Sequence, residues 1–362
     1  MTEKGEGKYE KNSGRVFTVL MICMLSSLTV LSATTAATIG DNEYTSLAAA
    51  LKAVEDGQTI VLAKNVSYSK NLTVSLSDKS ITIDLNEKTI AFKGSSYLKV
   101  KSGTITFKNG KIKNSNGNTV MTVNSGATVK IAGGTYTGII TNAGKLTISK
   151  GTFKTQIENK GTLTIKGGTF AEIKKNYDDS EVSSGILVND GGTTTIKNGT
   201  FTAASRCNML VNNKNSTLKI SGGTFTCKSK SYIGGTVLYN EGKVTISGGT
   251  LAARNYCQYA ILNEGGTLAL KDGTISQTST NGHCAVITVG GVVKMSGGSI
   301  ISMNGYEAVV GQQNYKITIT GGSLTVNNTQ AILLYGISSY SVSSNVVISG
   351  TGNHNDIYII TE

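Results

Sequence analysis

The sequence contains no proline and no tryptophan, and only 15% of its 362 residues are charged. Proline removes a hydrogen-bond donor from a β-ladder, so its absence suits a chain that is almost entirely sheet. Glycine is abundant instead, with 44 residues, and glycine pairs recur between short strand-like runs such as "STLKI" and "TFT". The chain is long enough for a large core.

Residue types that serve in catalysis are scarce. Beyond residue 37, the basic residues other than lysine are Arg206, Arg254, His283 and His354. One adjacent acidic pair, Asp178 and Asp179, lies in the insert "KKNYDDSEVSSG". These two carboxylates are weak candidates for a cation site. Without a fixed ligand spacing, a solvated charged loop is the better interpretation. The sequence therefore predicts neither a metal site nor a cofactor.

The N-terminus has the pattern of a signal peptide. Four basic residues within residues 1–15 precede an apolar run over residues 16–31 and then the small residues "SATTAA". The run is short for a spanning helix, although a retained N-terminal anchor is the alternative. We predict a signal peptide over residues 1–37, secretion to the cell exterior or cell surface, and no stable membrane span after its removal.

The full chain has a net charge of +12, and removing residues 1–37 takes away four basic and three acidic groups. The basic character therefore belongs to the secreted part of the chain. It favours anionic partners, and secretion makes nucleic acid an unlikely one.

A glycine-containing motif recurs along the chain, as in "AGGTYT" and "SGGTFT". The residue after its second glycine is Thr135, Thr152, Thr169, Thr200, Thr224, Thr250, Thr274, Ser299 and Ser323. The shortest step is 17 residues. That length holds three brief strands and three turns but no helix, which excludes helical repeats and propeller blades. One repeat is therefore one coil of a parallel β-helix.

Apolar residues keep fixed places within each coil. In segments such as "KLTI" and "TLTI", alternation directs leucine and isoleucine inward and threonine outward. One inward row precedes the glycines and comprises Ile148, Ile165, Ile196, Ile220, Ile246, Leu270, Met295 and Ile319. A second row follows them and comprises Tyr136, Phe153, Phe170, Phe201, Phe225, Leu251, Ile275, Ile300 and Leu324. The two rows predict two continuous core stacks, and roughly a dozen coils would give a rod about 55 Å long.

Asparagine also recurs at a fixed offset, 10 or 11 residues before the next motif threonine. The members are Asn124, Asn142, Asn159, Asn189, Asn213, Asn240 and Asn263. Asparagine tolerates left-handed backbone conformations and bonds to groups that a tight turn leaves free. We predict that these residues stack coil upon coil as an asparagine ladder.

The segments "YTSLAAALKAVEDGQTIVLAKNV" at 44–66 and "SITIDLNEKTI" at 80–90, followed by the "TISGGTF" coils, carry a resemblance. The chain resembles secreted bacterial surface proteins with a right-handed parallel β-helix of pectate-lyase-like architecture. This implies an all-β, single-stranded right-handed β-solenoid over residues 81–362, with a cap over residues 38–80. Leu47, Leu51 and Val54 share one face of the cap's short helix. Glu87 stands where the family often has glycine.

That architecture serves lyases, hydrolases and adhesins, so it does not decide the function. No paired-carboxylate or nucleophile arrangement has a credible spacing. We therefore predict a non-catalytic, adhesin-like binding protein for carbohydrate or an anionic cell-wall polymer. The alternative is a secreted polysaccharide lyase or glycoside hydrolase.

The extra residues of the longer coils all follow the same strand, so stacking should collect them along one edge. The candidate ligand-binding residues on that edge are Tyr177, Tyr232, Tyr256, Tyr259, Tyr306, Arg206, Arg254 and His283. Tyrosine offers a ring face and a hydroxyl to sugars, and arginine attracts anionic groups. Two alternatives remain: variable solvated loops, and a lysine-bearing face around Lys145, Lys166, Lys197 and Lys219.

Four cysteines, Cys207, Cys227, Cys257 and Cys284, lie in consecutive coils. They could form disulfides outside the cell or remain buried thiols. Cys257 and Cys284 fall in adjacent coils near the same register, whereas Cys207 and Cys257 are two coils, about 9.6 Å, apart and too far to bridge. The last coil shows no helical cap, so its edge is a candidate surface for self-association.

Overall fold

The computed structural model shows an all-β parallel solenoid of about twelve turns with one short helix near its start. It describes residues 34–114, 117–172, 183–204, 206–229, 234–336, 338–351 and 357–360. The predicted fold class is confirmed. Most of the predicted signal peptide, residues 1–33, lies outside the described residues.

Each coil contributes one strand to each of three parallel sheets. In the shortest coil, the strand of the first sheet is Lys145–Ile148, that of the second is Thr152–Lys154, and that of the third is Ile157–Asn159. Each strand pairs in parallel with its counterpart in the next coil, as Lys145 does with Thr162. The pairing confirms that one sequence repeat is one coil.

The strands are as follows. The first sheet contains Thr59–Leu62, Ala127–Ile131, Lys145–Ile148, Thr162–Ile165, Thr193–Ile196, Thr217–Ile220, Val292–Met295, Lys316–Ile319 and Ser339–Val342. The second contains Val66–Tyr68, Thr89–Phe92, Lys111–Asn114, Thr135–Thr137, Thr152–Lys154, Thr169–Ala171, Thr200–Ala203, Thr224–Ser229, Ser299–Ser302, Ser323–Asn327 and Val347–Thr351. The third contains Thr119–Val123, Ile139–Asn142, Ile157–Asn159, Ser183–Asn189, Cys207–Asn212, Thr236–Asn240, Tyr259–Glu264, Val286–Val289, Val309–Gln312, Ile332–Tyr335 and Ile357–Ile360.

Four longer strands continue through a turn from one sheet into another. Leu72–Asp84 and Leu98–Lys108 run from the third sheet into the first sheet of the next coil. Lys243–Asn255 and Thr267–Gln277 run from the first sheet into the second. The pairing register shifts within these strands, which is where the chain turns the corner.

The N-terminal end of the core is covered. Strand Ala37–Ile39 forms a hairpin with Asn42–Tyr44 and pairs antiparallel with Thr59–Leu62. The helix Leu47–Ala53 follows, and the hydroxyl of its N-cap residue Ser46 accepts a bond from the Ala49 amide at 3.1 Å. Such a cap satisfies one of the free amides at the start of a helix.

The helix turns apolar side chains onto the first coil. Leu47, Ala50 and Val54 are buried in the same cluster as the core, and Leu51 is partly buried against it. The predicted cap helix is confirmed. Among the described residues, no helix has both the length and the apolar character needed to cross a membrane.

The two predicted inward rows are both buried. In five consecutive coils the second row consists of stacked aromatic rings, with centroid distances of 5.1, 4.7, 4.4 and 4.6 Å from Tyr136 to Phe225. Parallel coils in register bring each ring directly onto its counterpart. The aliphatic residues Leu251 to Leu324 continue this row towards the C-terminus.

The glycine of the repeated motif is required by a close backbone approach. Gly223 has a φ of +102°, and a Cβ built on it would lie 2.9 Å from the carbonyl oxygen of Gly199, its counterpart in the preceding coil. Any side chain would therefore be strained in conformation and would press on the neighbouring coil.

Glu87, by contrast, adopts a left-handed φ of +59° without being glycine. Its turn is held by the amide of Asn86, which donates to Asp84 Oδ1 at 2.9 Å, and by the amide of Lys88, which donates to the carbonyl of Leu85 at 2.7 Å. The turn therefore forms without a glycine at this position.

A buried asparagine ladder crosses six coils. Each Nδ2 donates to Oδ1 of the next asparagine at 2.6 to 2.9 Å. The members are Asn142, Asn159, Asn189, Asn212, Asn240 and Asn263. The Asn263 amide closes the ladder on the hydroxyl of Thr288 at 3.0 Å. The predicted ladder is confirmed for five of the seven positions named from the sequence.

Two predicted members are wrong. The ladder contains Asn212 rather than Asn213, and Val123 rather than Asn124 occupies the position that pairs with Asn142. The turn between Asn212 and the next strand at Thr217 is longer than in neighbouring coils. Counting back from the motif threonine therefore gives the wrong asparagine.

Cys227 and Cys257 form a disulfide between adjacent coils, with their Cα atoms 6.4 Å apart. Cys257 is thus bonded to Cys227 and not to Cys284. The next residue is also bonded to the preceding coil, since the Gln258 amide donates to the carbonyl of Gly235 at 3.0 Å. Cys207 and Cys284 are buried thiols. Burial raises the pKa of Cys284 well above its ordinary value, and the Glu307 carboxylate raises it further.

The core is open at the C-terminal end of the described coils. Tyr340 pairs with buried Ile317 and Ile359 pairs with buried Leu334, yet Tyr340 and Ile359 are 43% and 38% exposed. These positions are inward in every earlier coil. Self-association through this end stays a prediction.

We predict that cleavage of the predicted signal peptide leaves a chain that begins no later than Thr35. Thr35, Ala36 and Ala37 are buried, and Ala36 exchanges backbone bonds with Tyr44 at 2.8 Å and Ala63 at 2.9 Å. Cleavage after residue 37 would remove these bonds, so we expect the signal peptidase to cut upstream. N-terminal sequencing of the secreted protein checks this, and a start at Thr38 would contradict it.

Substituting Asn212→Ala should lower the free energy of unfolding by about 2 kcal/mol, since it breaks two buried side-chain bonds in the ladder. Asn213→Ala is the matched control. The Asn213 side chain makes an exposed bond to Asp190 at 3.3 Å, so its loss should cost less than about 0.5 kcal/mol. Urea unfolding measures both. Equal losses of unfolding free energy in the two variants would show that the ladder bonds of Asn212 do not stabilise the fold.

Peptide mapping of the denatured, unreduced protein should recover Cys227 linked to Cys257, with Cys207 and Cys284 alkylated. In the folded protein, Cys284 should react slowly with iodoacetamide at pH 8, because its raised pKa leaves little thiolate. A link between Cys257 and Cys284 would contradict this pairing.

Candidate functional site

Three aromatic side chains line up at the edge between the second and third sheets. Tyr259, His283 and Tyr306 come from consecutive coils, with ring centroids 5.7 and 6.4 Å apart and interplanar angles of 38° and 37°. His283 is exposed and the two tyrosines are partly buried. These three residues are the aromatic ladder. All three are among the candidates named from the sequence.

The turns that carry the aromatic ladder are held by bonds between coils. The His283 amide donates to the carbonyl of Gln258 at 2.8 Å, and the buried Gln277 side chain donates to that carbonyl at 2.8 Å. In the next coil, the Asn304 side chain donates to the carbonyl of Ser279 at 3.0 Å. Hydrogen bonds between successive turns therefore fix the backbone that carries the aromatic ladder.

Beside the aromatic ladder, the outer face of the third sheet is apolar. In matching register, the outward side chains over eight coils are Val188, Val211, Tyr239, Leu262, Ile287, Val310, Leu333 and Tyr358. This row is the apolar column. In earlier coils the same row holds Thr122, Thr141 and Glu158. The apolar character is thus confined to the C-terminal part of the sheet.

The apolar column and the aromatic ladder meet. Cys284, Ile287 and Val310 form a buried cluster separate from the main core, and Tyr259, Leu262, Val289 and Leu333 pack against it. Because Ile287 and Val310 belong to the apolar column and Tyr259 belongs to the aromatic ladder, this cluster joins the two features.

Sequence reasoning missed the apolar column. Its signal was available, because strands such as "VLYN", "AILN" and "ILLY" contain adjacent apolar residues where the first-sheet strands alternate with threonine. A run of adjacent apolar residues in a strand is typical of a strand that is buried on both faces.

Carboxylates flank the apolar column. The Tyr239 hydroxyl lies 2.9 Å from the carboxylate of Glu264 and 3.2 Å from that of Glu241. Burial raises the pKa of Tyr239, and these two carboxylates raise it further, so the phenol stays protonated at neutral pH. The Tyr239 hydroxyl therefore donates its hydrogen bond to these carboxylates.

The two predicted arginines lie apart from the aromatic ladder, Arg254 at the end of the second sheet and Arg206 just before the third-sheet strand Cys207–Asn212, two coils earlier. Arg254 is exposed and pairs in register with Lys228 at the end of the second sheet. The partly buried Arg206 side chain lies against the backbone of Gly234, where a Cβ would clash with it. In its own coil, Arg254 is separated along the chain from Tyr259 by the residues 255–258.

The other candidates named from the sequence, Tyr177, Tyr232, Asp178 and Asp179, lie outside the described residues. Within the part of the chain that the structure describes, no group of three or more His, Cys, Asp or Glu side chains could hold a metal ion.

Comparison of the chain with protein-family models, curated proteins and solved structures finds no match in any of the three.

Proposed function

We propose that this is an elongated extracellular binding protein without catalytic activity. Its ligand is a carbohydrate or cell-wall polymer, held by the aromatic ladder and the adjoining apolar column. The supporting observation is the alignment of Tyr259, His283 and Tyr306 on consecutive coils. Sugar rings place their C–H faces on aromatic rings, and their hydroxyls bond to carboxylates and phenols such as those of Glu264 and Tyr239.

The apolar column favours a binding role over a role in folding. Elsewhere the outward faces of the coils are covered by threonine and lysine, as in Lys145–Ile148 and Thr162–Ile165. The fold thus does not require apolar residues on the outside. Val188, Tyr239, Leu262 and Leu333 of the column are partly exposed, and contiguous apolar surface commonly marks a binding site.

The geometry suits a polymer rather than a single sugar. Successive coils present equivalent positions about every 4.8 Å along the axis. A chain of repeated units can contact several coils at once, and linked weak contacts bind far more tightly than each would alone. Secretion, predicted from the N-terminal pattern, would place this rod where such polymers occur.

The double substitution His283→Ala with Tyr306→Ala should weaken retention on the best ligand about tenfold, through the loss of aromatic contacts worth about 1.4 kcal/mol. The ligand is found by screening neutral and acidic polysaccharides and purified cell walls. The matched control, Tyr97→Ala with Tyr340→Ala, removes two aromatic side chains elsewhere and should bind as the unaltered protein does.

Equal binding by the two double variants would place the site elsewhere. The same polymers, incubated with the unaltered protein with and without calcium, should release neither unsaturated products nor new reducing ends. Release from pectin, polygalacturonate, xylan or alginate would replace the binding role with a lyase or hydrolase activity.

A further inference from the structure

The outer face of the first sheet carries one lysine in each of nine consecutive coils, either on the strand or directly after it. These residues, the lysine ladder, are Lys130, Lys145, Lys166, Lys197, Lys219, Lys243, Lys271, Lys294 and Lys316. All nine are exposed. At one coil per 4.8 Å, the ladder adds one positive charge for about every 5 Å along the axis of the rod.

The lysine changes place from coil to coil. Lys130 stands mid-strand, Lys145 at the start of the next strand, and Lys166 after the end of the one following. Like charges directly opposite each other on adjacent strands repel, and the changing place keeps most neighbours apart. Every coil nevertheless keeps one lysine on this face.

No acidic residue neutralises the ladder on its own face. Within the first-sheet parts of these nine strands, the outward positions hold threonine, lysine, alanine and valine. Asp272 follows Lys271 at the turn, where its carboxylate accepts a bond from the Gly273 amide at 2.7 Å. Among the described residues, the ion pairs are Lys108 with Asp84 at 3.1 Å and Lys160 with Asp190 at 3.4 Å, neither of which involves the ladder. Solubility alone would be served by either sign of charge.

We propose that the lysine ladder binds a linear anionic glycopolymer, a chain of sugar or polyol units with one carboxylate or phosphate per unit, laid along the axis of the rod. Lysine is a compact point charge without the fork of arginine, so the ladder recognises a line of charge more than the shape of one group. Threonine hydroxyls between the lysines, such as those of Thr147 and Thr195, are available to sugar or polyol hydroxyls.

Nucleic acid fits this face less well. Single strands bind on aromatic side chains that stack with the bases, and the outward positions of these nine strands contain no aromatic residue. Duplex DNA carries a charge about every 1.7 Å along its axis, far denser than the ladder.

This inference does not depend on the proposed function, because the two surfaces lie on different sheets. The aromatic variant His283→Ala with Tyr306→Ala should keep its affinity for the anionic polymer. Each surface can therefore fail its own test without affecting the other.

The test replaces five consecutive ladder residues by threonine, which occupies equivalent outward positions in other coils. The ladder variant carries Lys145→Thr, Lys166→Thr, Lys197→Thr, Lys219→Thr and Lys243→Thr. The matched control removes five exposed lysines from other surfaces by Lys70→Thr, Lys93→Thr, Lys111→Thr, Lys113→Thr and Lys154→Thr. Both variants have the same net charge.

Binding is measured over a range of salt concentrations with polygalacturonate, poly(glycerol phosphate), dextran and single-stranded DNA. The unaltered protein should bind one of the first two more tightly than dextran or DNA, and the tighter of the two identifies the charged group as carboxylate or phosphate. The ladder variant should lose at least tenfold in affinity at low salt. Its slope of log affinity against log salt should fall by about 3.5, whereas the control should change little.

Equal losses in the ladder and control variants would show that only net charge matters and would overturn the proposal. Tighter binding to DNA, or no binding to either glycopolymer, would overturn it as well. A smaller variant with Lys145→Thr and Lys219→Thr should lower the slope by about 1.4, and it provides the test if the fivefold variant does not melt cooperatively.

Discussion

Parallel stacking of each coil on the next is the constraint on which the rest of the structure depends. Because the coils pair in register, every inward side chain meets its counterpart about one strand spacing away. Each inward position therefore favours a residue type that packs well against the same residue type in the next coil. Phenylalanine rings stack from Phe153 to Phe225, asparagine amides join from Asn142 to Asn263, and glycine is kept where two backbones touch.

The sequence was sufficient to predict those parts of the fold that are periodic. The coil, the two apolar stacks and the cap helix could be predicted because each repeats or has a local signature. Features that depend on turn length could not. Asn213 was named in place of Asn212 because one turn is longer, and the partner of Cys257 depends on the path of an insert. Alignment of Tyr259 with His283 and Tyr306 could be expected, but the apolar surface beside it became visible only once the strands were in register.

Outward rows are under no such constraint, since solvent accepts many side chains, so any regularity there needs another cause. The third sheet changes from Thr141 and Glu158 to an apolar row in its later coils. The first sheet keeps a lysine in every one of nine coils while its position moves. Two surfaces of opposite character thus run along one rod, one apolar with carboxylates beside it and the other basic.

The disulfide has a consequence for how such a rod comes apart. A stack in which each coil touches only its neighbours loses coils from its ends, one after another. The bond between Cys227 and Cys257 ties two adjacent coils in the interior of the stack. Unfolding that starts at the C-terminal end of the described coils reaches this disulfide before it reaches the stacked aromatic rings of the core. In oxidising surroundings, where the disulfide is formed, the N-terminal half of the rod therefore stays folded when the C-terminal coils unfold.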